Sequence, residues 1–170
     1  YGEASGMIIF GIDPGTAVTG YGVIKVQNNS VSCVDAGVIA TDATRPLAER
    51  LEIIYDKLCE KIQLHKPSRV CVEQAFYGKN VHTTLVLGHA RGVAMLVARK
   101  YGAEIMEYSP REIKKAVTGN GNATKEQVAF MVKMLLPSSG NHERSDTYDA
   151  LAVALCDFNR AGTAIPGVIK

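Results

Sequence analysis

Asp13, Glu73, Asp146 and Asp149 stand where solubility alone does not explain them. Asp13 closes an apolar β-type run in IIFGIDPGTAVTGYG (residues 8–22) and is followed at once by Pro-Gly. Asp before Pro-Gly is a good turn former, so this acid fits a turn as well as a ligand. Glu73 follows Val70, Cys71 and Val72, an apolar stretch in which an unpaired carboxylate is costly unless a cation, a full set of donors or an Arg meets it. Asp146 and Asp149 are three apart near the start of a helical pattern, so they share a face, and the helix dipole favours acids there in any case. Singly, none is decisive. Together, carboxylates from a first strand, a central strand and a terminal helix can converge, and like charges that close call for divalent cations between them. Hard oxygen ligands suit Mg²⁺ or Mn²⁺, and a pair of such ions about 4 Å apart serves in-line attack on a phosphodiester.

The elements that must position these acids follow from periodicity. Residues 7–12 predict a first strand, residues 20–27 (GYGVIKVQ) a second and residues 31–41 a third, joined as an antiparallel meander with Asn28-Asn29-Ser30 as a turn. After Pro46 the period changes: Leu47, Leu51, Ile54, Tyr55, Leu58 and Ile62 share one helical face, and Pro67 ends that helix. Residues 68–74 predict a short buried strand, 76–81 a loop, 82–101 a second helix and 104–108 a fifth strand. Gly88 and Gly92, one turn apart, predict close approach of that second helix to the sheet. Ser109-Pro110-Arg111-Glu112 and Thr124-Lys125-Glu126-Gln127 read as capping boxes opening two short helices. A last helix, capped by Ser145 or Asp146, runs to about Arg160. The order predicts an α/β fold: a mixed sheet with helices on both faces.

The 170 residues, 46% of them hydrophobic, suffice for one core. Residues 1–6 read as a vector-derived scar, residues 7–160 as the nuclease domain and residues 161–170 as a patternless tail. No apolar run approaches the roughly 20 residues needed to cross a bilayer, which predicts a soluble protein with no membrane partner. Cys33, Cys59, Cys71 and Cys156 are far apart and form no C-x-x-C, which fits reduced core thiols in a cytoplasm rather than zinc or disulfides. With 19 Lys+Arg against 17 Asp+Glu the net charge is only +2, but the basic residues gather in the middle of the chain.

The segments IDPGTAVTGYGVI (12–24), VEQAFYGKN (72–80), LGHARGVAM (87–95) and SDTYDALAVAL (145–155), in this order and at these separations, resemble the RuvC family of Holliday-junction (crossover-junction) endodeoxyribonucleases. The resemblance spans residues 7–160. It implies a ribonuclease-H-like fold with a mixed five-stranded sheet, and a Mg²⁺-dependent nuclease with two ions per active site. It also implies a homodimer that nicks a four-way DNA junction symmetrically in recombination and repair, and association with the RuvA and RuvB branch-migration proteins. The family's metal-binding acids fall on Asp13, Glu73, Asp146 and Asp149, its catalytic or junction-contacting lysines on Lys114 and Lys125, and its loop aromatic on Phe76.

In that chemistry Asp13 and a helix aspartate hold the ion at which water is activated, Glu73 bridges or positions, and the products carry 5′ phosphates. Lys125, just after a helix cap, is placed to stabilise phosphate charge. Phe76 and Tyr77 offer a stacking surface, and Lys79, Arg91, Arg111, Lys114 and Lys115 offer phosphate contacts that read no sequence. Each also fits a bland role: Phe76 as core, the cations as solvated surface charges. A junction's two-fold symmetry predicts a C2 dimer, with the LGHARG face and Val93, Leu96 and Val97 as the candidate interface. Two rivals share parts of the pattern. IDPGT-x-x-x-G also resembles the first phosphate loop of actin-like ATPases, which need a second domain and loop that this chain has no room for. A same-fold nuclease of ribosomal RNA precursors is the other, and EQAFYGKN with DALAVAL favours the junction enzyme.

Overall fold

The computed structural model describes residues 6–74 and 80–161. Three strands, β1 (Met7–Asp13), β2 (Val18–Gln27) and β3 (Ser30–Ala40), form the antiparallel meander. Asn28 and Asn29, at φ 49° and 61°, make the left-handed hairpin turn that Asn tolerates. Helix α1 (Leu47–His65) buries Ile54, Leu58 and Ile62 and ends at left-handed Lys66, before Pro67. Then come β4 (Arg69–Glu73), α2 (Val81–Lys100), β5 (Glu104–Tyr108), α3 (Pro110–Thr118), α4 (Lys125–Leu135), a 3₁₀ turn (Pro137–Ser139) and α5 (Ser145–Arg160). Strands β4 and β5 add in parallel beside β1, giving the sheet order β3-β2-β1-β4-β5.

Strand alternation divides the interior between the two faces of the sheet. Phe10, Ile12, Val23, Val70 and Val72 meet α1 and α2, whereas Ile9, Ile24 and Cys71 meet α3, α4 and α5. Both capping boxes form as the spacing predicts: Ser109 with Glu112 on α3, and Thr124 with Gln127 on α4.

Four expectations need correction. Strand β2 begins at Val18, two residues early, because Thr19 ties its start to Gly15. Neither Ser145 nor Asp146 caps α5. Arg144 occupies the N-cap without a side-chain bond, so Asp146 sits inside the first turn. Gly88 and Gly92 do not approach the sheet, since a Cβ on either would meet nothing within 4 Å; Ala90, Ala94, Val97 and Ala98 form the inner face of α2 instead. Finally, α2 is long and apolar enough by length and composition to cross a membrane, with mean hydropathy 1.2, although its Arg91 interrupts the run and its inner face packs on the protein. Of the thiols, Cys71 and Cys156 are buried and Cys33 and Cys59 half-buried, and all are free.

Candidate active site

The pairing of β1 with β4 brings two acids side by side. Ile12 pairs with Val72, and the next residues along these parallel strands are Asp13 and Glu73, on the sheet face that α5 covers. Helix α5 supplies Asp146 and Asp149 from its N-terminal turns. Asp13, Glu73 and Asp149 line a cavity of about 310 Å³ together with Lys114, Lys125, Arg91 and Gln74. Pro14, Leu87, Pro110, Ile113, Val128 and Ala152 complete its wall. Asp146 is not in that wall, but its charge is felt by both Asp13 and Asp149.

Crowding sets the electrostatics. Burial, then the charges of Glu73, Asp149 and Asp146, push the Asp13 carboxyl up from 3.8 to about 8. Burial and then the Asp149 charge raise Glu73, partly offset by its interaction with the Asp13 side chain. Burial raises Asp149, against the pull of Lys125, whose Nζ lies 3.3 Å from Asp149 Oδ2. In return the Asp149 carboxylate holds the Lys125 ammonium above its ordinary value.

The donor set fits a divalent cation. The described wall offers carboxylate oxygens and no thiol or imidazole, and the repulsion that raises Asp13 is of the kind positive charge relieves. Among the described residues no three His, Cys, Asp or Glu side chains are gathered into a ready cage. Asp149 is turned to Lys125, and Asp146 lies outside the cavity wall. An ion entering here would compete with Lys125 for the Asp149 carboxylate.

The raised Asp13 carboxyl carries a stability consequence. The folded chain holds a proton that the unfolded chain releases near 3.8, so this contribution is present below that value and lost as pH rises to about 8. In EDTA, wild-type melting temperature should therefore fall relative to Asp13→Asn between pH 5 and 8. Parallel melting curves for the two proteins would remove the assignment.

The other expected contacts separate. Lys114 is half-buried in the cavity wall, whereas Arg111 and Lys115 are exposed and outside it. Arg91 is in the wall but ion-paired with Glu107, which occupies the guanidinium that sequence reasoning left for phosphate. Phe76, Tyr77 and Lys79 lie outside the described residues.

Sequence reasoning missed two supports. A Cβ on Gly20, the cross-strand partner of Asp13, would fall inside the carbonyl of Asp146, and one on Gly11 would fall inside that of Ala150. These glycines let the backbone of α5 lie directly on β1 and β2. Glycines at alternate strand positions 20 and 22 were the available signal. The second support is Asp157, fully buried on α5, which accepts from Tyr108 Oη at 2.6 Å and faces Arg69 at 3.4 Å. It ties the far end of the helix to β4 and β5.

Residues 9–157 match the family model described as crossover junction endodeoxyribonuclease RuvC. The chain is 44% identical to the Ruminiclostridium cellulolyticum protein of that name over 153 residues, 90% of this chain and 92% of the relative. It is 46% identical to the Legionella pneumophila protein over 149 residues, 88% of this chain and 85% of the relative. Among solved structures, Thermus thermophilus RuvC in complex with a Holliday junction substrate aligns at TM-score 0.84 and 32% identity, covering 94% of this chain and 99% of that one. The yeast mitochondrial Holliday junction resolvase Ydc2, at TM-score 0.64 and 15% identity, shares the fold over 92% of this chain and 81% of its own.

Proposed function

Because the chain belongs to the RuvC family of crossover junction endodeoxyribonucleases, we propose that it resolves four-way DNA junctions by paired symmetric nicks that leave 5′ phosphates, in recombination and repair. The observation that carries this reading is the convergence of Asp13, Glu73 and Asp149 with Lys114 and Lys125 on one cavity. Asp13, Glu73, Asp146 and Asp149 would hold Mg²⁺, two ions per site, with Mn²⁺ able to substitute. When bound, such ions neutralise phosphate charge and acidify the attacking water.

The chain's own groups do the rest. Lys125 leaves Asp149 as the phosphate enters and sets its ammonium, together with the N-terminus of α4, against the charge that develops in the transition state. Lys114, on the same wall, orients the phosphate. Asp13 and Glu73 are half-buried at their strand ends, which limits the access of bulk water to the reacting atoms.

A junction presents two equivalent strands, so the working unit is a C2 dimer. Val81, Leu85, Gly88, Gly92 and Leu96 form one stripe on the outer face of α2, with Leu85 62% and Leu96 60% exposed and open space over both glycines. This stripe replaces Val97, which is fully buried in the protomer. RuvA and RuvB are the expected partners in the cytoplasm.

The reading is tested by incubating the protein with a synthetic four-way junction and a matched linear duplex, each with Mg²⁺ and with EDTA. Metal-dependent cutting of the junction alone is expected; equal cutting of both DNAs would sink the junction assignment, and cutting in EDTA the metal dependence. Leu85→Glu with Leu96→Glu should sediment as a monomer and lose paired nicking. A double variant that stays dimeric would move the interface elsewhere.

A further inference from the structure

The cavity beside the acids is larger than a phosphate requires, and much of its wall is uncharged. At about 310 Å³ it lies near the lower end of the volumes that take drug-sized ligands. Leu87 from α2, Pro110 and Ile113 from α3, and Val128 from α4 contribute apolar side chains from three separate helices. Leu87 stays 37% exposed, an apolar surface left open at the mouth of a charged site.

We propose that this apolar wall is a sugar-discriminating subsite, which receives the C2′ face of a nucleotide flanking the scissile phosphate and selects deoxyribose over ribose. The proposal rests on the reading of the acids as a phosphodiester-cutting site. A phosphate cut at the site of Asp13, Glu73 and Asp149 carries its two sugars with it, so the apolar wall of the same cavity is where a sugar would lie. A 2′ methylene packs on Leu87, Pro110 and Val128 without loss. A 2′ hydroxyl there must give up water for carbon, and its donor and acceptor go unmatched.

The polar side chains of the described wall do not remedy this. Lys125 is taken by Asp149 or, once substrate is bound, by the phosphate, Lys114 lies within the field of Glu73 and Asp149, and Arg91 is paired with Glu107. Gln74 is the remaining amide, exposed on the residue after Glu73. The 2′ hydroxyl is the group by which a protein tells RNA from DNA, and an apolar site rejects an added hydroxyl by up to about 10²-fold.

The test uses the full chain with Mg²⁺ and four-way junctions carrying a single ribonucleotide immediately 5′ or 3′ of the cut phosphate. Single-turnover cutting is read against the all-DNA junction, with binding measured separately. One of the two substitutions should slow cutting by about 10- to 100-fold. The ribo-to-deoxy rate ratio should move toward one, by about threefold or more, in Leu87→Asn or Val128→Thr. Thermal melts of both variants confirm that they are folded. Leu87, being partly exposed, keeps the test available if the change at buried Val128 unfolds the protein. Wild-type rates within about twofold at both positions would overturn the proposal. So would a ratio that moves in Gln74→Ala but in neither wall variant. Failure to cut even the all-DNA junction would instead remove the underlying nuclease reading.

Discussion

Asp149→Asn should bind a four-way junction within about threefold of wild type and cut it about 10³-fold or more slowly in a single turnover. The substitution is nearly isosteric and keeps an oxygen that can accept from Lys125, so the bond now 3.3 Å long need not be lost. What disappears is a half-buried negative charge lining the cavity beside Asp13 and Glu73. Its loss removes one of the charges that raise both neighbours, so the metal-free variant should melt no lower than wild type. Reduced cutting with an undiminished melting temperature therefore separates a site defect from a folding defect. Asp157→Asn is the contrast. It weakens the buried contacts with Tyr108 and Arg69, so it should lower stability by about 1–3 kcal/mol with much less effect on cutting by the folded fraction. Near-wild-type cutting by Asp149→Asn would remove this residue from the site.

Glu73 was legible because it breaks a local rule, whereas Asp13, Asp146 and Asp149 each also fit a turn or a helix start and stood out only as a set. A carboxylate at the end of the Val70–Val72 run has no reason to be there unless something meets it, and strand parity then places it beside Asp13. Both capping boxes were legible for a similar reason: their bonds are made within four residues, so no tertiary knowledge is needed. What could not be read depends on contacts far apart in sequence. Asp146 and Asp149 share a helix face only to within about 60°, and the packing of α5 decides that Asp149 enters the cavity wall while Asp146 stays beside it. Helix α2 is apolar on two sides, and periodicity does not say which side belongs to its own core; the Ala90–Ala94–Val97 side won, leaving the glycines outward. Arg91 looked like a free cation because its partner, Glu107, lies on a strand sixteen residues on.

The seat of α5 yields the second large effect. Asp13 pairs across the hairpin with Gly20, and the carbonyl of Asp146 lies over that glycine with no room for a Cβ. The obstructing atom is backbone, so no rotamer change relieves it. The first turn of α5 must lift, or β2 must bend away. Either motion shifts Asp146 and Asp149 relative to Asp13, and misplacement by about 1 Å costs on the order of 10²-fold in rate. Gly20→Ala should therefore lower cutting by about 10²-fold and stability by about 1–3 kcal/mol, a fall in melting temperature of about 2–12 °C for a chain of this size. Gly37→Ala provides the comparison, because the atoms nearest a Cβ there belong to the Tyr21 side chain, away from α5. It should cost stability without a matching loss of rate. If Gly20→Ala melts and cuts like wild type, the helix is not held against the strand at Gly20. If it loses stability but not rate, the position of α5 is not what sets the geometry of the acids.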